Sequence, residues 1–324
     1  YLIGTAEELA YIINDGGAAN TYYKLTADIY LNAIEHIDWA TGTPVSGYNP
    51  RVWYDNKPFQ GTIDGDGHVV YGLYTNITGN VAYGYWGNGL IPRVNPGASV
   101  TVKKLGVDYA YVAGLNGVSA FVGSAGARDS SESDSNYANV NIDRCYAGAN
   151  VTLKGHEVGA FRGTTHNSNT AIVNSYSLAT LAASGDRCTA GLIGNIWDVT
   201  VAIENSYNAN GAILSDIWNS GVDAGLKNVY ATNKGAYVDK VIELTTDNMK
   251  GLDVLTNDAK MPKVNFDEAL RKQYETFEKE QVLSLLEDGA EITALSAATL
   301  SNKLLQFANG AIYDEEGGVH HVHD

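Results

Sequence analysis

Between about residue 50 and residue 235 the apolar residues come in short alternating runs and never recur at helical spacing. Each run is four to six residues of Val, Ile, Ala and Tyr, closed off by Gly, Asn or Ser. That pattern predicts short strands joined by tight bends. The runs also repeat. The stretch "VKKLGVDYAYVAGLNGVSAFVG" (102–123) is echoed by "NIDRCYAGANVTLKGHEVGAFRG" (141–163) and "AIVNSYSLATLAASGDRCTAGLIG" (171–194), with partial copies at 202–213 and 226–237. Pro92 to Gly123 and Gly163 to Gly194 are both 31 positions, and Tyr146, Tyr176 and Tyr207 are 30 and 31 apart. The interval from Gly123 to Gly163 is 40 because it carries the polar insertion "ARDSSESDSNYAN" (127–139), which reads as a loop.

A coil of about 30 residues cannot bury a face alone, so repeats of this length predict stacking into a solenoid. Strands laid rung over rung make a parallel β-helix, with Val, Ile, Leu and Ala inward and recurring Asn and Ser in ladders at the bends. A β-sandwich leaves the 31-residue period unexplained.

The two ends differ from the middle. In "TAEELAYIIND" (5–15), Thr5 and Glu8 form a capping-box pair, and Leu9, Ile12 and Ile13 share one helical face. A short helix there would cover an open end of the solenoid, where unpaired strand edges are a liability. "YYKLTADIYLNA" (22–33) predicts the first strand pair. From about Met261 charge becomes dense: Leu270, Tyr274, Phe277 and Leu285 fall at helical spacing, as do Ala297, Leu300, Leu304 and Phe307, with Gly310 as a stop. The expected organisation is a capping helix region at 1–20, β-helix repeats at 21–245 and a helical appendage at 246–324.

Composition narrows the partners. A net charge of −16 and a pI near 4.7 argue against duplex nucleic acid or an anionic membrane, which need clustered Lys and Arg. No apolar run reaches the roughly 20 residues needed to span a bilayer. Tyrosine outnumbers phenylalanine 21 to 6, which points to half-exposed aromatic positions. Cys145 and Cys188 have no metal spacing and read as small buried residues sooner than as a disulfide.

The stretches "GTAEEL", "YKLTADIYLN", "PFQGTIDGDGHVVYGLY" and the "KLGV … GAF.G" units resemble GLUG-repeat bacterial surface proteins over roughly residues 1–260. The resemblance implies a right-handed parallel β-helix, secreted or attached to the cell surface, in proteins described as adhesins or carbohydrate-handling components; it carries no functional residues over. Separately, "FDEALRKQYETFEKEQVL" and "ALSAATLSNKLLQFANGAIYDEEGGVHHVHD" are similar to a helical stretch of phage-type Swi/Snf-like helicases. No G-x-x-x-x-G-K-[ST] phosphate cradle accompanies it, so ATP-driven chemistry is not expected.

Candidate chemistry is sparse. "DGDGHVVYG" supplies Asp64 and Asp66, but the calcium-loop pattern fails beyond them; Gly65 and Gly67 suit a corner, leaving calcium the minor alternative. The scattered acids of the repeats do not pair at rung spacing as glycoside cleavage requires. No catalytic residue is assigned. The candidate binding residues are aromatics in polar, Gly-rich segments, where flat rings suit sugar faces: Trp53, Tyr54, Tyr83, Tyr85, Trp86, Trp197 and Trp218. The sequence therefore predicts a non-catalytic adhesion or carbohydrate-binding module whose partner is a polysaccharide or cell-surface glycan. A β-helix lyase or hydrolase is one alternative, and a self-associating stalk or filament subunit is another.

Overall fold

In the computed structural model the described residues are 1–53, 57–77, 87–126, 136–183, 188–197, 200–214, 223–233 and 241–243, with the backbone of 282–284, 291–293, 311–313 and 319–321. The chain divides into two compact units, Tyr1–Lys260 and Met261–Asp324.

The first unit is mainly β, and its long sheets are parallel, the arrangement that suits a β-solenoid of stacked repeats. One sheet stacks Leu2–Ile3, Gly17–Leu25, Gln60–Asp64, Ser99–Lys103, Ala138–Asp143, Ser168–Val173 and Thr200–Asn208. It continues through a second limb of Tyr176–Ser177, Tyr146–Ala147, Gly106–Asp108, Val69–Tyr71 and Ile29–Tyr30. Two further sheets stack Tyr74–Asn76, Ala110–Ala113, Val151–Gly155 and Thr180–Ala183, and Ile91–Val94, Val122–Ala125, Arg162–His166 and Ile193–Trp197. Gly17–Leu25 and Ile29–Tyr30 do not pair with each other, as a hairpin would; each pairs with the next repeat, at Gln60–Asp64 and Val69–Tyr71.

Register follows the sequence period. Ile91, Val122, Arg162 and Ile193 stand in one column, 31, 40 and 31 residues apart. The strand alternation sends Val100, Val102, Val140, Ile142, Val201 and Ile203 inward, where all are buried. Phe161 packs against Phe121 one rung away, ring centres 5.0 Å apart and tilted by 38°. On the outer face Lys24, Asp64, Lys103 and Asp143 alternate in charge along one column. A slip by one repeat would set like charges opposite each other, so the column supports one register.

The corner between the two limbs is built from left-handed residues. Asp66, Lys104, Arg144, Asn174, Asn205 and Asn228 have φ between 49° and 54°. Asn is over-represented in that conformation because its short amide bonds locally. Here the amides also link rungs: Asn205 donates to Asn174 at 3.2 Å and Asn228 donates to Asn205 at 2.9 Å. Inside the same corner the Cys145 and Ser175 amides donate to the hydroxyls of Ser175 and Ser206. The Asn and Ser ladders expected at the bends are present.

Outside that corner, Tyr146, Tyr176 and Tyr207 stack at 5.3 and 5.0 Å, tilted by only 8° and 5°. The Tyr146 ring lies over Gly106, where an added Cβ would stand 2.3 Å from it, so a larger residue in that rung would displace the row. Burial raises the Tyr146 and Tyr176 hydroxyls, which stay protonated. Cys145 and Cys188 are buried and not joined in a disulfide, and burial pushes the Cys145 thiol up to about 12.

Helix α1 (Ala6–Asp15) begins at Thr5, whose hydroxyl accepts from the Glu8 amide while the Glu8 carboxylate accepts from the Gly4 and Thr5 amides. It ends at Gly16 in the left-handed region, where a Cβ would meet the Pro58 carbonyl at 2.8 Å. Leu9, Ile12 and Ile13 join the same core as Leu25 and Ile63. The helix expected over 5–15 is therefore present.

The second unit corrects the sequence reading in part. Val282–Ser284 falls inside the stretch from Leu270 to Leu285 expected to be helical, yet it pairs antiparallel with Glu291–Thr293. Val282 is a β-favouring residue, and cross-strand pairing overrides the helical spacing around it. Ala311–Tyr313 and Val319–His321 form a second antiparallel pair. The remainder of both predicted helices lies outside the described residues.

Candidate functional site

The aromatics chosen from sequence do not assemble into a site among the described residues. Trp53 is a correction: only 4% of it is exposed, and its indole N–H donates to the Leu90 carbonyl at 3.0 Å. A polar, Gly-rich neighbourhood does not keep a tryptophan outside once its one donor finds a buried acceptor. Tyr54, Tyr83, Tyr85, Trp86 and Trp218 lie outside the described residues. Trp197 ends the strand Ile193–Trp197, with its backbone opposite His166, and its side chain is outside the described set.

Asp64 and Asp66 make the predicted corner. The Asp66 amide donates to the Asp64 carboxylate at 2.9 Å, and Asp66 and Gly67 are both left-handed. The Asp64 carboxylate is further held by the Tyr22 hydroxyl and by Lys103 at 3.5 Å, while Asp66 pairs with Lys24 at 2.8 Å. Burial works to raise the Asp64 carboxyl, but the Tyr22 and Asp66 hydrogen bonds and the charges of Lys103 and Lys104 outweigh it and leave it below its ordinary value. Both carboxylates are thus occupied by lysines, and no cluster of three or more His, Cys, Asp or Glu suited to a metal occurs among the described residues.

The structure does bring together a groove that sequence reading missed. It lies between α1 and the strands Leu2–Ile3 and Gly17–Leu25, with a volume of about 660 Å³, within the range of small-ligand clefts. Tyr1, Tyr11 and Tyr23 supply aromatic surface, Thr21 a hydroxyl, and Glu7, Glu8 and Asp15 carboxylates. Tyr1 stacks on Tyr23 at 5.7 Å, and Tyr23 in turn rests against Phe59 in the core. That backing fixes one aromatic wall. Tyr11 projects from the outer side of α1, 71% exposed, and Tyr1 is 81% exposed. The Glu8 carboxylate is committed to the helix cap; its hydrogen bond from the Gly4 amide leads in holding it below its ordinary value. Glu7 and Asp15 reach Arg51 at 3.4 Å and Lys57 at 3.1 Å through exposed pairs. A faint sequence signal existed: Tyr11 falls off the Leu9–Ile12–Ile13 stripe, which leaves a large ring facing water.

Comparisons with known proteins add little to this geometry. No family model matches the chain. Over 123 residues, 36% of this chain, the sequence is 34% identical to halomucin of Haloquadratum walsbyi, of whose length the match covers 1%. A crystal structure of a Bacteroides ovatus protein assigned provisionally as an immunoglobulin A1 protease aligns with a TM-score of 0.47 and 14% identity, over 91% of this chain and 92% of that one. No helix among the described residues is long and apolar enough to cross a membrane.

Proposed function

We propose that this chain is a right-handed parallel β-helix at the cell surface or outside the cell, where it acts as a non-catalytic adhesion module that binds carbohydrate. The observation that carries the proposal is the groove beside α1, where exposed tyrosine rings stand next to carboxylate and hydroxyl acceptors. Sugars present C–H faces to aromatic rings and hydroxyls to acceptors, so this mixture suits a saccharide. The stacked repeats give the groove a rigid base, which limits the ordering cost of binding.

The test is binding of the full chain to a glycan array, followed by calorimetry on the best hits and product analysis after long incubation. Retention without cleavage is the expected result. Tyr11→Ala, which removes an exposed ring and leaves the core untouched, is expected to weaken binding by roughly threefold to tenfold, the value of one aromatic contact. Shortened glycan products would replace the proposal with an enzymatic one, and retention unaffected by Tyr11→Ala would move the site elsewhere.

A further inference from the structure

Charge makes the ligand class more specific. The lining of the groove contains Glu7, Glu8 and Asp15 and no lysine or arginine side chain. The Tyr1 nitrogen donates to the Tyr22 carbonyl at 2.7 Å. Glu8 keeps its negative charge because the Gly4 and Thr5 amides bond the ionised form. Among the described residues, Glu7 and Asp15 pair with Arg51 and Lys57 through solvent-exposed contacts at 3.4 and 3.1 Å, with carboxylate side chains 79% and 57% exposed. Such pairs contribute little, so either carboxylate can exchange its partner for a ligand cation at small cost. The tyrosine rings reinforce the same preference, since an aromatic face attracts an ammonium as well as a C–H face. The net charge of −16 adds a long-range field that repels acidic polymers.

We infer that the groove selects amine-bearing saccharides, with the ligand ammonium received by Glu7 and Asp15 and the sugar face by Tyr1 and Tyr11. This rests on the carbohydrate-binding reading and specifies its ligand. Neutral sugars use the stacking contacts and offer hydroxyls to the carboxylates without pairing their charge, and uronates meet repulsion from three carboxylates.

The experiment compares three hexamers of one backbone type: β-linked glucosamine with free amines, its fully N-acetylated counterpart, and a uronate. Binding is measured by calorimetry at pH 6, at about 0.05 M and about 1 M salt. The free-amine hexamer is expected to bind about tenfold more tightly than the acetylated one at low salt, with the advantage shrinking at high salt as the screening length falls to roughly 3 Å. The double variant Glu7→Gln, Asp15→Asn is expected to bring the two affinities within about twofold, with the free-amine hexamer losing more than the acetylated one. Equal affinity for the amine and acetyl forms, tighter uronate binding, or an amine preference that survives the double variant overturns the inference and leaves the carbohydrate-binding reading standing. Retention of none of the three hexamers together with an empty glycan array overturns both.

Discussion

Arg162 occupies a column whose other members are Ile91, Val122 and Ile193, and it is fully buried. Its guanidinium donates to the Thr170 hydroxyl at 3.3 Å, the Thr164 carbonyl at 3.2 Å and the Ser168 hydroxyl at 3.5 Å, all neutral acceptors, while Nε has no partner. Burial draws its pKa down from its ordinary value to about 9. At 1.36 kcal/mol per unit, that drop corresponds to a cost of about 5 kcal/mol for holding the charge inside. Because the folded value lies below the unfolded one, the cost is complete below about pH 9 and is relieved as pH rises above it. Arg162→Met removes the charge but also three hydrogen bonds from a charged donor, each worth about 1.5 kcal/mol at the lower end. The two sums nearly cancel, so the variant is expected within about 1 kcal/mol of wild type at pH 7, or roughly 2 to 4 °C in Tm for a unit of this size. Circular dichroism melts at pH 7 and pH 10 measure it, and wild type is expected to gain on the variant at the higher pH. A variant destabilised by about 3 kcal/mol or more at pH 7 would show that the guanidinium is compensated in a way that contradicts this balance.

Three further outcomes are expected. Phe161→Ala, which removes a fully buried ring packed against Phe121, should cost about 3–5 kcal/mol in urea denaturation. Thr5→Ala deletes the cap hydroxyl that accepts from the Glu8 amide, and should cost about 1 kcal/mol, with faster hydrogen exchange confined to the start of α1. The Asp64 carboxyl is depressed in the fold, so its contribution is complete above the ordinary carboxyl range and is lost as pH falls through and below it. Asp64→Asn should therefore flatten the acid limb of the stability–pH curve between about pH 5 and 2, and a limb of unchanged steepness would place the relevant titration elsewhere.

The repeat architecture was legible in the sequence because it has a one-dimensional period. The 31-, 40- and 31-residue intervals are the register of Ile91, Val122, Arg162 and Ile193, and the equally spaced tyrosines became the stacked row at Tyr146, Tyr176 and Tyr207. The cap was legible because Thr5 and Glu8 act within one turn. Other features depend on contacts that no local pattern encodes. Trp53 reads as exposed until Leu90, far along the chain, offers its carbonyl. Arg162 sits where alternation calls for an aliphatic residue, and only the hydroxyls of Ser168 and Thr170 on a neighbouring strand explain how it is accommodated. The groove was hidden for the same reason, since its walls come from α1 and two strands. At Val282–Ser284 a helical spacing was present, but pairing with Glu291–Thr293 decided the outcome.

The central claim is that successive repeats lie as adjacent rungs, and pulsed spin-label distances test it most directly. Thr62, Thr101, Asn141, Ala171 and Ala202 form one in-register column on the outer face. With cysteines introduced for labelling at Thr62 and Ala171, and in a second variant at Thr62 and Ala202, the backbone separations should be about 14 and about 19 Å, a step of about 4.8 Å for the added rung. Distances that rise by that one step support the stacked-rung account; distances that do not increase from the first pair to the second contradict it.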